Sequence, residues 1–146
     1  MFTCSKTYAE IPIAHRQHQH PGRCALMHGH NWSFTFTFGC RELDTNGFVV
    51  DFGNLKYIRR WLDENLDHAC LLNRDDPLRD ALVRAAPSAY KIYLVDNCSA
   101  EGLAQHLFEI ADALVRRETN DRVFVTGVRV DEDARNSATF RAHGPR

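Results

Sequence analysis

Five of the eight histidines, His15, His18, His20, His28 and His30, fall between positions 15 and 30. Imidazole is the commonest protein ligand for transition metals. His28-Gly29-His30 stands at the head of a strand-like run, and residues i and i+2 of a strand point to one face. Two imidazoles would converge there on one ion, with Gly29 leaving room between them. His15 closes the preceding apolar stretch and could reach across from a paired strand. Three neutral nitrogens with a fourth position open are a catalytic zinc arrangement, in which a substrate oxygen is polarised. The plain alternative is a set of surface histidines in a polar loop. His18 and His20 share the i, i+2 spacing, but Pro21-Gly22 follows at once. They read as loop residues and as the competing ligands.

Cys24 precedes the histidine pair by four positions. Beside a zinc ion and imidazoles its thiolate form would be favoured, giving a base or nucleophile. Cys4, Cys40, Cys70 and Cys98 read as small buried apolar residues. In Asp67-His68 a carboxylate can set the tautomer of a histidine and stabilise its charged form, which suits a proton shuttle; a polar loop after a helix is the plainer reading. Glu132, at the end of a valine-rich stretch, could accept two parallel hydrogen bonds from an amidine-like N–H pair, or lie in a solvated acidic turn. Glu101 stands where an acid complements the start of a helix.

These residues need a scaffold, and its elements are legible. Residues 3–14 read as a first strand of imperfect alternation. Trp32, Phe34, Phe36 and Phe38 alternate with Ser33, Thr35, Thr37 and Gly39, a period of two with one aromatic face. Asp51 can cap a helix over 53–65, whose stripe is Phe52, Leu55, Ile58, Leu62 and Leu66. Asp76-Pro77 opens a short helix to about Arg84. A short strand over 90–95 is followed by Ser99 as the cap of a third helix with Leu103, Leu107, Ile110 and Leu114. Val123, Val125, Val128 and Val130 form a strand with a phase break at Gly127, the mark of a bulge. Residues 138–142 close the chain as a last strand. Strand runs separated by helices favour an α+β antiparallel sheet with helices on one face. The other face then needs cover, which points to an oligomer with its active site between subunits.

Composition narrows the function classes. The 146 residues fit a single domain over 1–146. With 18 basic and 19 acidic side chains the net charge is −1, so no overall field draws nucleic acid or an anionic membrane. No apolar run approaches the ~20 residues of a membrane span, and Met1–Lys6 has no secretory pattern. The five cysteines are widely spaced without a Cys-x-x-Cys pair, which argues against a disulfide framework and for a reducing cytoplasm.

Taken together, His15, Cys24-x3-His28-Gly29-His30, Phe48-Val49-Val50-Asp51-Phe52, Asp67-His68, Leu72-Asn73, Ser99-Ala100-Glu101 and Glu132 resemble the 6-pyruvoyl-tetrahydropterin synthase / 6-carboxytetrahydropterin synthase family over nearly the whole chain. The resemblance implies a tunnelling fold: a four-stranded antiparallel sheet with helices on its outer face, subunits associating into barrels, and sites at their interfaces. It implies His15, His28 and His30 as zinc ligands, Cys24 as the thiol base, Asp67 and His68 as its catalytic partners, Glu132 as the pterin anchor and Glu101 as a further substrate contact. The implied substrate is 7,8-dihydroneopterin triphosphate. The short gap from Cys24 to His28 resembles the bacterial carboxy branch, whose product feeds queuosine and other 7-deazapurine synthesis. A pyruvoyl synthase, a related activity on another pterin and a non-catalytic zinc-binding member are the other readings. Asn97-Cys98-Ser99 departs from the proline-then-threonine of many relatives, and 74–90 is a long excursion.

Overall fold

A computed structural model describes residues 1–142. In it β1 (Phe2–His15) and β2 (His28–Cys40) form a long antiparallel pair. A short 3₁₀ turn, Arg23–Ala25, lies between them. Then follow α1 (Lys56–Asn65), β3 (Ala69–Asn73), α2 (Leu78–Ala85), β4 (Lys91–Val95), α3 (Ala100–Thr119), β5 (Val123–Asp131) and β6 (Ser137–Arg141). The sheet order is β4-β3-β1-β2-β5-β6.

The α+β class stands, and the strand count is corrected. The expected four antiparallel strands are β1, β2, β5 and β6, which are contiguous. Two short strands extend the sheet from β1, and both pair parallel. Helical crossovers permit that direction. β3 gives no periodic signal because all five of its residues are buried, so the alternation that betrays a half-exposed strand is missing.

The aromatic stripe builds the core. Trp32, Phe34, Phe36 and Phe38 are each at most 1% exposed. Tyr8, Ile11 and Ile13 flank them from β1, and Val123, Val125, Val128 and Val130 from β5. The stripes of α1 and α3 close the layer through Ile58, Leu62, Leu103, Leu107 and Val115. Each such side chain contributes about 1.5–3 kcal/mol by leaving water. The 53–65 helix begins later than its periodicity suggests, because Asp51 caps a 3₁₀ turn (Phe52–Asn54) by accepting the Gly53 amide. Ser99 caps α3 through the Gly102 amide, as expected.

Both irregularities of alternation have a cause. In β1 the register slips between Tyr8 and Ile11, where Glu10 takes a φ of 58°. In β5 the slip falls between Gly127 and Val125, and the Val125 amide donates to Asp112 on α3. The sheet face away from the helices is lined by small polar residues such as Thr7 and Thr35, whose hydroxyls bond each other at 2.8 Å.

Candidate metal centre and adjoining cleft

Register alone assembles the three histidines. His15 faces His28 across the β1–β2 ladder, and Ile13 faces His30. His15, His28 and His30 therefore project to one face, at the end of the aromatic column, with the His15 ring 4.9 Å from that of Trp32. Gly29 does not separate the imidazoles as expected. It alternates to the opposite face, where a Cβ would make ordinary contact with the Ile13 carbonyl oxygen at 3.5 Å and Ala14 Cα at 3.9 Å.

The ring tautomers follow from the backbone. His15 Nδ1 donates to the Cys98 carbonyl at 2.8 Å, and His28 Nδ1 to the Leu26 carbonyl at 2.7 Å. That leaves the Nε2 atoms to bind, which is how metal-ligating histidines are oriented. Burial pushes His15 below its ordinary pKa, opposed by its bond to the Cys98 carbonyl; His28 adds to the lowering, Glu132 opposes it, and His30 adds to it again. The result favours the neutral imidazole, the ligating form.

Glu132 completes the cluster, with one carboxylate oxygen 3.3 Å from both His15 Nε2 and His30 Nε2. The ligand atoms of these four residues lie within 4.8 Å of one another. The Nε2 atoms of His15 and His30 are buried and make no hydrogen bond among the described residues. Orphaned buried nitrogens are costly, and a shared cation would satisfy both. Two ligands at ~2.0–2.1 Å from one tetrahedral zinc lie about 3.3 Å apart, so the residues fit such an ion. His18 and His20 are elsewhere: His18 Nε2 is 3.6 Å from Asp75, and His20 Nδ1 accepts the Gly22 amide.

A cleft of about 440 Å³ opens beside the cluster, lined by His15, Gln17, Cys24, His28, Ser99, Glu101, Glu132 and Arg135 among others. Cys24 is exposed on its 3₁₀ turn. Glu101 stands on the first turn of α3. Asp133 holds the loop that carries Arg135, accepting the amides of Arg135 and Asn136; those bonds keep its carboxyl below the usual range.

Asp67 and His68 are brought together but not to Cys24. His68 Nδ1 lies 2.8 Å from Asp67 Oδ1, and the side chain is 79% exposed. With a φ of 60° at His68 the chain turns into β3 while the His68 amide bonds the Pro12 carbonyl. His68 lines a second depression with Pro12, Ile13, Ala14, Gly29, His30, Asn31 and Ala69. Pro12, Ala14, Gly29 and Asn31 alternate with the cluster residues, so much of this depression is walled by the sheet face away from the cluster.

Other supporting groups escape a sequence reading. Cys98 acts on His15 through its carbonyl, which no side-chain pattern reports. Arg16 makes two bonds to the buried Asp76 and a third, from Nη1, to the Ala25 carbonyl beside Cys24. Asp76 is legible as a cap, and does accept the Leu78 amide, but its pairing with Arg16 spans 60 positions.

Comparison with known proteins places these features in a lineage. Residues 3–143 match the family model described as 6-pyruvoyl tetrahydropterin synthase. A Rickettsia bellii protein named 6-carboxy-5,6,7,8-tetrahydropterin synthase is 31% identical over 134 residues, 90% of this chain and 94% of its own. A Rickettsia conorii protein of the same name is 31% identical over 108 residues, covering 73% and 78%. Among solved structures, an uncharacterized Wolinella succinogenes protein superposes with a TM-score of 0.82 at 22% identity, covering 97% of this chain and 98% of its own. The Caenorhabditis elegans 6-pyruvoyl tetrahydropterin synthase gives 0.65 at 20%, covering 97% and 96%.

Proposed function

Since the chain belongs to the 6-pyruvoyl tetrahydropterin synthase family, we propose that it is a zinc-dependent carbon–carbon lyase. It converts 7,8-dihydroneopterin triphosphate to 6-carboxy-5,6,7,8-tetrahydropterin, releasing acetaldehyde and triphosphate, and so serves queuosine and 7-deazapurine synthesis in the cytoplasm. The observation that supports this reading most is the convergence of three imidazoles and one carboxylate at the edge of a cleft that also holds Cys24.

His15, His28 and His30 would hold the zinc. When bound, zinc supplies Lewis acidity toward the hydroxyls of the substrate side chain. Cys24 takes a proton from that side chain, and His68, with its tautomer set by Asp67, carries protons during elimination and bond cleavage. Glu132 and Glu101 offer carboxylates to the N–H pair of the pterin ring, which orients the side chain toward Cys24. Because His68 lines a depression that Cys24 does not, the working site in this reading joins two copies of the chain: Cys24 comes from one and His68 from its neighbour.

The test is a product assay. Zinc-loaded protein is incubated with 7,8-dihydroneopterin triphosphate, and pterins and acetaldehyde are followed by mass spectrometry. Acetaldehyde with the carboxypterin is expected. A pyruvoyl product without acetaldehyde would move the chain to the pyruvoyl branch, the activity for which the family is named. Bound zinc with no turnover of this substrate would overturn the assignment.

A further inference from the structure

Asn73 ends β3 and is 8% exposed, one of the few buried polar side chains among the described residues. Both ends of its amide are used. Its Oδ1 accepts the Cys98 backbone N–H at 2.8 Å, and its Nδ2 donates to Gln17 Oε1 at 3.2 Å. On the first side, the carbonyl of the same Cys98 residue receives His15 Nδ1. On the second, the Gln17 backbone N–H donates to the Cys24 carbonyl at 2.7 Å, and its side-chain amide donates to Asn97 Oδ1 at 2.9 Å. Asn73 thus stands between the segment that orients the histidine and the segment that carries the thiol, and it touches neither side chain.

We propose that Asn73 is a positioning residue of the metal centre: it holds the Cys98 backbone through its N–H, and the carbonyl of that residue, one peptide further on, fixes the ring of His15. The inference rests on the zinc reading given above. His15 is the most buried of the three histidines, and its ring has one hydrogen bond to hold its angle. A peptide free to rotate at Cys98 would let the Nε2 atom leave the point where it meets His30 and Glu132. Outer-shell partners of ligating histidines typically affect metal affinity by 10–100-fold.

Zinc binding is measured on the whole apo-protein by competition with a chromogenic chelator, together with apo-state thermal melting. Asn73→Leu removes the acceptor at similar volume, and about tenfold weaker zinc binding in the folded variant is expected. Asn73→Asp keeps an oxygen toward Cys98, and near-wild-type affinity is expected. A folded Asn73→Leu with wild-type affinity would overturn the proposal, even if its melting temperature fell, because that pattern is a purely structural residue. An Asn73→Asp as weak as the leucine variant would overturn it too. If the leucine variant does not fold, Asn73→Ser decides by the same affinity comparison. A wild type that binds no zinc removes the metal reading itself, and this inference with it; a wild type that binds zinc while Asn73→Leu binds equally well removes this inference alone.

Discussion

At the scale of single residues, the proposed site divides into groups that would hold an ion and groups that would react. Three imidazoles suffice to hold a catalytic zinc, and Cys24 is not needed for that. Cys24→Ala is therefore expected to keep stoichiometric zinc while kcat falls by at least about 100-fold, the lower range for a lost acid–base group. Metal analysis beside steady-state kinetics checks it, and retained turnover would end the assigned role. Glu132 is the more ambiguous acid, since its carboxylate lies 3.3 Å from two histidine nitrogens and also lines the cleft. Glu132→Gln is expected to keep zinc and raise KM, because the neutral amide no longer attracts a polar N–H pair as a carboxylate does. Zinc lost with substrate affinity intact would make Glu132 a ligand and leave the pterin to Glu101.

At the scale of elements, the excursion over 74–90 has a structural purpose. It supplies Asp76, whose side chain is fully buried against Arg16, and Arg16 in turn bonds the turn that carries Cys24. The bonds from Arg16 hold the Asp76 carboxyl below its ordinary pKa; burial opposes them, while the Leu78 amide, the Arg16 charge and His18 assist. The sign follows from linkage. A carboxyl whose folded value is depressed binds its proton more readily when unfolded, so its contribution is fully present above the unfolded value, near 3.9. It is lost as pH falls through the lower folded value. Asp76→Asn should flatten the acid limb of stability below about pH 4 in denaturant titrations. Arg16→Met should cost about 3 kcal/mol at neutral pH, the low end for breaking a buried pair, since Arg16 remains 22% exposed.

At the scale of the whole molecule, the two halves of the expected catalytic group line two separate depressions. Cys24 opens onto the cleft beside the histidines, and His68 onto the depression behind it. Mixing is the natural measurement. Cys24→Ala and His68→Ala proteins, each inactive alone, should regain turnover when unfolded and refolded together. With random equal assembly about a quarter of the interfaces unite an intact Cys24 with an intact His68. No recovery in mixed oligomers would mean that each chain completes its own site.

Much of this was legible in the residues. The aromatic alternation over 32–38 requires a half-buried strand, and the i, i+2 spacing of His28 and His30 then forces both rings to one face. Local chemistry also marks Ser99 as a cap and Gly127 as a break in phase. Those signals are short-range, and each is carried by side chains whose period reports their surroundings. β3 stays silent because it is buried on every side. The Cys98 carbonyl, the Arg16–Asp76 pair and the two grips of Asn73 are contacts between segments 25 to 83 positions apart. Backbone acceptors carry no residue signature, and a buried asparagine looks like any loop asparagine until the strands are paired. The sequence by itself determined which residue types could do chemistry and which face the alternating strands β2 and β5 bury. Tertiary structure alone decided what aims them, because aim depends on long-range register and on backbone groups that every residue shares.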